Sequence, residues 1–250
     1  REHVPQDARI HYAYLDAGGT APNVVQARAK VRYLIRAVRT AEMLEIADRV
    51  RDVARGAALM TGTEVSEKVF SAVSGTLENL TMDRTMQAAL DELGGVPFDD
   101  ADRAYARAIQ ATLTDAEIGA SWRRVGLPVR RETALCDWVV PMRPGGEVMI
   151  GSTDVADVSW KVPLTEVLVA TIAIGTAAHT WQVTAQGKAP AAHKGMIHAA
   201  AAMGRCAEML LADPVLLAQA RDEHRRRLAE TPYVCPLPEG MRPPIPAPAA

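Results

Sequence analysis

The sequence predicts an α/β protein whose chain divides into two domains. Two segments near its start, 10–15 and 30–36, alternate in a period of two, which is typical of half-buried β-strands. Helical apolar periodicity follows from Thr40. Further along, the segment 167–174 is apolar nearly throughout, as in a strand that is covered on both faces. Strands that alternate with amphipathic helices indicate the α/β class.

Residues 1–75 are predicted to form a small α+β unit. Turn signals at Gly18-Gly19 and Pro22-Asn23 separate its first two strands, and one face of the second strand is expected to be covered. Thr40 is predicted to cap a helix that ends at Gly62, after which 64–72 returns as a weaker strand. This order of elements is most of a ferredoxin-like sandwich that lacks its opening strand and helix.

Residues 76–250 are predicted to form the second domain. Capping signals place helix starts after Thr81, at Asp99-Asp100 and at Thr114, whose spacing to Glu117 is that of a capping box. The rest of the domain is expected to contain short strands at 135–140, 147–151 and 166–174, and two long helices at 193–212 and 214–229. From Pro232 onward we expect an extended proline-rich tail.

Composition and charge limit the function classes. Lys and Arg number 28 against 30 Asp and Glu, a net charge of −2, so we expect no nucleic-acid partner. No apolar run approaches the ~20 residues of a membrane span, and no signal peptide is visible. The three distant cysteines favour a reducing cytoplasm. Because the chain begins at Arg1 without an initiator Met, we expect the C-terminal part of a longer protein.

Among the histidines, His179 is the strongest candidate for a functional role. It follows the apolar segment 167–174 in a polar loop, which is where α/β folds commonly place chemistry, although a lone histidine beside a tryptophan is also a common structural feature. His193 and His198 are five residues apart on a predicted helix and point in different directions, so they do not form a helical zinc pair.

The segment before His179 offers two further possibilities. Asp154 and Asp157 are either paired carboxylates or part of a simple turn or helix cap, and the residues alone leave both readings open. Ser152 has no evident partner, so a serine triad is conceivable but weak. The chain contains no nucleophile elbow, Walker loop or dinucleotide-binding glycine motif.

Two stretches resemble a known family: GGTAPNVVQARAKVRYLIRA after His11, and GSTDVADVSW with AIGTAAHTWQVTAQG and HKGMIHAA. Together they are similar to the metal-dependent amidohydrolases of the aminoacylase/carboxypeptidase superfamily, in particular the p-aminobenzoyl-glutamate utilisation protein B type. The resemblance covers the whole chain. It implies a two-domain metallopeptidase-like fold, with 1–75 as most of a lid that forms the dimer and 76–250 as the C-terminal part of the catalytic domain.

The resemblance also implies roles for individual residues. His179 matches a metal ligand of a site that holds two zinc or manganese ions. His11 matches the lid histidine that stabilises the tetrahedral intermediate in the partner's active site, and Asn23 matches the asparagine that binds the substrate carboxylate. The active-site loop would contribute possible substrate contacts from Ser152, Thr153 and Asp154. The general base and the other metal ligands of the family lie in motifs that this chain does not contain, so the two-metal site would be mostly outside it.

Two functional hypotheses follow. The first is an enzyme: the chain is the C-terminal part of a cytoplasmic amidohydrolase that cleaves a small N-acyl or N-aroyl amino acid such as p-aminobenzoyl-glutamate, with a second copy or the missing N-terminal part as its partner. The second is a non-catalytic dimerisation or scaffold module, or one chain of a split enzyme that is inactive alone. A serine hydrolase that uses Ser152 is a distant third.

Overall fold

The computed structural model describes residues 3–143 and 151–242. The chain divides into two compact units, and the first of them is made of three segments that are separate in the sequence. It consists of Arg1–Leu77, Ile150–Lys161 and Thr231–Ala250, whereas the second consists of Glu78–Met149 and Val162–Glu230. The structure combines many helices with one small sheet. The assignment of the two parts to a lid and a catalytic domain stays a prediction.

The first unit contains an antiparallel hairpin and one long helix. Its strands β1 (Arg9–Asp16) and β2 (Lys30–Arg36) pair in the register Tyr12 to Tyr33 and His11 to Leu34, which confirms both predicted strands. Helix α1 (Thr40–Thr61) packs against β2 and ends at Gly62, whose φ of 65° suits a glycine. The helix begins one residue earlier than predicted, because Arg39 and not Thr40 occupies the N-cap position.

Two predictions for the first unit are wrong. The segment 64–72 is not a strand: it is held by side chains, with Arg51 of α1 bonded to Glu67 at 2.8 Å and Arg32 of β2 over the ring of Phe70. A strand requires backbone pairing, and this segment forms none in the described residues. The hairpin is also less covered than expected, since every residue of β1 and four of the seven residues of β2 are exposed.

The second unit is helical in all of its described elements. Helices α2 to α4 span Leu80–Leu93, Asp100–Gln110 and Asp115–Arg124, and two short helices and two long ones follow along the chain. Of these, α5 (Val155–Ser159) belongs to the first unit, whereas the second unit continues with α6 (Trp181–Gln186), α7 (Pro190–Ala212) and α8 (Pro214–Glu230). The long helices confirm the predicted pair, whereas α5 and α6 were not predicted.

Helix caps in the second unit are mostly local and match the sequence. The predicted capping box joins Thr114 to Glu117, and a second one, between Asp99 and Asp102, forms at the helix start that was predicted at Asp99-Asp100. The start of α2 is the exception, because its cap is Asn79 and not Thr81. The Asn79 side chain accepts a bond from the N–H of Met82 at 3.0 Å and donates to the carbonyl of Ala220 in α8 at 2.9 Å.

Two of the predicted strands of the second unit do not form in the part of the chain that the structure describes. Segments 135–140 and 166–174 are irregular, with neither helix nor ladder in the described residues, and most of 147–151 lies outside those residues. One side of 166–174 packs through Val169 and Ala173 into a core with residues of α3 and α7. Val167 packs against a second cluster, with Met86 of α2 and Ala202 of α7, and within 167–174 only Leu168 is exposed, so the segment is largely covered although it is not a strand.

Candidate functional site

The loop that carries His179 is strained at that residue. His179 has a φ of 63°, and no other non-glycine residue in the described ranges has a positive φ. The left-handed conformation is unfavourable for side chains with a Cβ, so it persists where the surrounding structure imposes it. The imidazole is exposed, as is the adjacent Trp181, which is 61% exposed. The geometry therefore presents an accessible imidazole on a constrained backbone.

Buried hydrogen bonds constrain the chain before His179. Gln186 of α6 accepts a bond from the N–H of Ala173 at 2.7 Å and donates to the hydroxyl of Thr176 at 3.1 Å. Gln110 of α3 donates to the carbonyl of Ile174 at 2.9 Å. The bonds to Ala173 and Ile174 pair backbone groups that have no strand ladder in the described residues, which explains how this segment keeps one conformation without a sheet.

The chain immediately after His179 is fixed by a helix cap. Thr180 is the N-cap of α6: its hydroxyl accepts a bond from the N–H of Val183 at 3.4 Å and donates to the carbonyl of Ala177 at 2.8 Å. Tyr105 of α3 holds the far end of α6 by donating to the carbonyl of Ala185 at 3.1 Å. His179 therefore lies between two anchored segments.

Ser152, Thr153 and Asp154 form a single exposed or half-exposed loop in the first unit. The hydroxyl of Ser152 accepts a bond from the guanidinium of Arg36, at the end of β2, at 2.7 Å. Thr153 accepts a bond from the N–H of Val155 at 3.2 Å and so supports the start of α5. Asp154 occupies the N-cap position of α5, although its side chain does not cap the helix.

The pairing of Asp154 with Asp157 is not what the structure favours. Asp157 accepts hydrogen bonds from the N–H of Ser74 at 3.1 Å and from the hydroxyl of Tyr233 at 2.9 Å. Its two oxygens are thereby used to hold other segments of the chain. Of the alternatives that the sequence left open, the structure thus favours a structural role for Asp157, and it leaves Asp154 exposed.

His11 lies on the same face of the hairpin as Arg36. Side chains alternate along a strand, and His11 is opposite Leu34 in the register while Arg9 is opposite Arg36. His11, Arg9 and Arg36 therefore share one face. The guanidinium of Arg36 also donates a hydrogen bond to the hydroxyl of Ser152. The role of Arg36 was missed from the sequence, because 116 residues separate it from Ser152 and no local pattern links them.

Asn23 is exposed in the connection between the two strands. A turn closed by the bond from the N–H of Val24 to the carbonyl of Ala21 at 3.2 Å contains it, which confirms the predicted turn at Pro22-Asn23. This connection lies at the opposite end of the hairpin from the Arg9–Arg36 pair. His179 is part of the other compact unit. The structure thus groups His11 with Ser152 through Arg36, and it does not group them with Asn23.

The described residues do not supply the ligands of a metal ion by themselves. No three His, Cys, Asp or Glu side chains in residues 3–143 and 151–242 converge closely enough to hold one. A divalent ion needs several ligands, and His179 is a single imidazole. These residues therefore do not fit the two-metal site that the resemblance implies, unless most of its ligands come from elsewhere.

In the same ranges, no helix is long and apolar enough to cross a bilayer.

Comparison with known proteins relates this mixed helical and β chain to part of a hydrolase. No family model matches it. Over 252 aligned positions it is 40% identical to a p-aminobenzoyl-glutamate hydrolase subunit of Escherichia coli (strain K12), in an alignment that takes in 97% of this chain and 52% of that protein. This match confirms the resemblance that the sequence motifs indicated. The chain spans about half the length of this relative.

Proposed function

We propose that this chain is part of a metal-dependent amidohydrolase that cleaves the amide bond of a small N-acyl or N-aroyl amino acid, such as p-aminobenzoyl-glutamate. The observation that carries the proposal is the 40% identity to a p-aminobenzoyl-glutamate hydrolase subunit across nearly the whole chain. The exposed imidazole of His179, carried on a strained backbone, supports it, because strained backbone is concentrated at functional sites.

The proposed roles follow the resemblance. His179 would be one ligand of a zinc or manganese site completed by residues outside the described ranges, and His11 would stabilise charge on the substrate carbonyl oxygen. Asn23 would bind the substrate carboxylate, with further contacts from Ser152, Thr153 and Asp154. A bound divalent ion would supply Lewis-acid chemistry and a more acidic water. The positive charge of Arg9 and Arg36 on the His11 face is complementary to an anionic glutamate.

The test replaces His179 in the full-length protein. His179→Ala should lower hydrolysis of p-aminobenzoyl-glutamate by at least about 100-fold and reduce bound metal, because a ligand is removed. His193→Ala is the matched control, since His193 is an exposed imidazole on α7. Chromatography of the released p-aminobenzoate and elemental analysis give the two measurements. Undiminished turnover with undiminished metal content in His179→Ala would refute the ligand role.

A second candidate is a non-catalytic module, or one chain of a split enzyme. Two observations favour it: the described residues contain no three-ligand cluster, and the relative is named a subunit. Its partner would be a second copy that docks through the lid, or a chain that supplies the remaining half. Stoichiometric zinc or manganese bound to the purified 250-residue chain would count against this candidate, and light scattering would give its oligomeric state.

The serine hydrolase alternative is not favoured. The hydroxyl of Ser152 accepts a hydrogen bond from Arg36, and a guanidinium stays protonated and cannot act as a general base. We propose a cytoplasmic location, which the free thiols of Cys136, Cys206 and Cys235 support.

A further inference from the structure

Helix α5 is too short to be stable without contacts to other segments of the chain. It has five residues, fewer than two turns, and its N-cap residue Asp154 makes no side-chain cap bond. Helices of this length are unstable without tertiary contacts, because nucleation costs more than so few backbone bonds return. The loop of Ser152, Thr153 and Asp154 leads directly into α5, so whatever holds α5 also sets the position of that loop.

Three polar side chains of α5 and the residues after it bind one neighbouring segment, 74–77. Asp157 accepts from the N–H of Ser74 at 3.1 Å, Ser159 accepts from the N–H of Leu77 at 2.7 Å, and Trp160 donates to the carbonyl of Gly75 at 2.7 Å. Ser159 is fully buried. The same polar groups would be costly to bury without partners, so these bonds define where α5 lies.

The tail segment that begins at Thr231 also contacts α5 and the residues after it. The hydroxyl of Tyr233 donates to the second oxygen of Asp157 at 2.9 Å, and its ring lies 5.6 Å from that of Trp160. The ammonium of Lys161 lies 4.8 Å from the centre of the Tyr233 ring, within range of a cation–π contact. Burial, followed by the bond to Asp157, raises the pKa of Tyr233 to about 12, so the phenol stays a donor.

We propose that Asp157 and Tyr233 form a latch that positions the Ser152–Asp154 loop for substrate binding. Asp157 joins the 74–77 segment, α5 and the tail through its two oxygens, and Tyr233 is the tail's contribution. Both are therefore positioning residues that act through the loop and do not touch the substrate. This inference rests on the proposed function, because the loop's role as a substrate contact belongs to it.

The experiment uses Tyr233→Phe, Asp157→Asn and Asp157→Ala in the full-length protein. Removing the Tyr233 hydroxyl or the Asp157 carboxylate should raise KM for p-aminobenzoyl-glutamate about 3- to 10-fold with little change in kcat, since each removes hydrogen bonds that order the loop. Asp157→Asn keeps one acceptor oxygen and should fall between wild type and Asp157→Ala. Val234→Ala is the control, because this neighbouring side chain is 54% exposed.

Hydrogen exchange of the amides in 151–161 provides a readout that does not depend on activity. The latch predicts faster exchange there in Tyr233→Phe and Asp157→Ala than in Val234→Ala. Unchanged exchange would overturn the latch, and faster exchange with an unchanged KM would overturn its positioning role. A variant that is only less well folded would lose kcat and keep KM, which also contradicts the proposal. A wild-type protein that cleaves nothing would refute the proposed function and the substrate-binding role together, while exchange still decides whether the latch orders the loop.

Discussion

The side-chain oxygen of Gln186 accepts a hydrogen bond from the backbone N–H of Ala173 at 2.7 Å, across thirteen residues of chain. Gln186 is 3% exposed, and its amide nitrogen also donates to Thr176 and to the carbonyl of Gln182. One buried amide thus joins α6, which follows His179, to the residues that precede His179 in the chain. Since these residues have no sheet to pair with in the part of the chain that the structure describes, this side chain takes the place of a ladder neighbour.

Gln186→Leu keeps the volume of the side chain and removes all of its hydrogen bonds. The N–H of Ala173 would then be buried without a partner, and we expect the free energy of unfolding to fall by about 2–3 kcal/mol. Urea denaturation of the full-length protein measures this change. Lys188→Ala, an exposed site just after α6, should change it by less than about 0.5 kcal/mol. Equal stabilities of the two variants would show that the Gln186 bonds are energetically unimportant.

The left-handed backbone of His179 predicts that stability and function respond in opposite directions to one substitution. His179→Gly relieves a conformation that costs a residue with a Cβ about 1–2 kcal/mol, partly offset by the greater chain entropy of glycine. We expect the melting temperature to be unchanged or higher, and hydrolysis to be lost. His179→Val should lose hydrolysis and also lower the melting temperature, because a β-branched residue is unfavourable at this φ. A His179→Gly protein that melts well below wild type would contradict this account.

Two glycines on α7 form a matched pair for testing how closely this helix packs. A Cβ at Gly195 would lie 2.2 Å from the carbonyl oxygen of Ala170, whereas a Cβ at Gly204 would meet nothing within 4 Å. Gly195→Ala should therefore destabilise the protein by about 1–3 kcal/mol through overpacking. Gly204→Ala should stabilise it by about 0.5–1 kcal/mol, because alanine favours a helix interior. Thermal unfolding of both variants decides the matter, and the same sign of change in both would refute the proposed close approach.

Glu223 of α8 is predicted to make stability depend on acid pH. Burial raises the pKa of its carboxyl, but bonds from Thr81, from the N–H of Leu80 and from Arg227 outweigh burial and lower that pKa to about 2. Its ordinary pKa is about 4.3. The ionised carboxylate therefore stabilises the folded state fully above about pH 4.3, and this contribution is lost as pH falls toward 2.

Glu223→Gln should lower the free energy of unfolding by about 2 kcal/mol at pH 7. The difference from wild type should shrink as the pH is lowered from about 4.3 toward 2, because the wild-type carboxyl becomes protonated. Urea titrations at a series of pH values give the comparison. Glu230→Gln, an exposed residue at the end of the same helix, should show no such dependence. A pH-independent difference for Glu223→Gln would contradict the linkage.

Local signals in the sequence predicted local structure correctly. The predicted capping box of Thr114 and Glu117 forms, because a cap depends on residues within one helical turn of each other. Prediction failed at the start of α2, where Asn79 is the cap. Its amide also bonds the carbonyl of Ala220, a partner 141 residues away that no local pattern reveals. The missing strands at 64–72, 135–140 and 166–174 have the same origin, since a strand exists only beside another strand.

The candidate site shows the same contrast between local features that the sequence predicts and contacts between distant residues that it does not. The order of amino acids identifies residues that are chemically suited, such as the His179 imidazole after an apolar segment, and its motifs correctly indicated kinship with a p-aminobenzoyl-glutamate hydrolase. The folded chain was needed to show that His179 is exposed in a left-handed conformation, that Arg36 donates to Ser152, and that Asp157 accepts from Ser74 and Tyr233. These relationships join residues far apart in the chain. They depend on which buried polar groups find partners, and that is settled when the segments pack together.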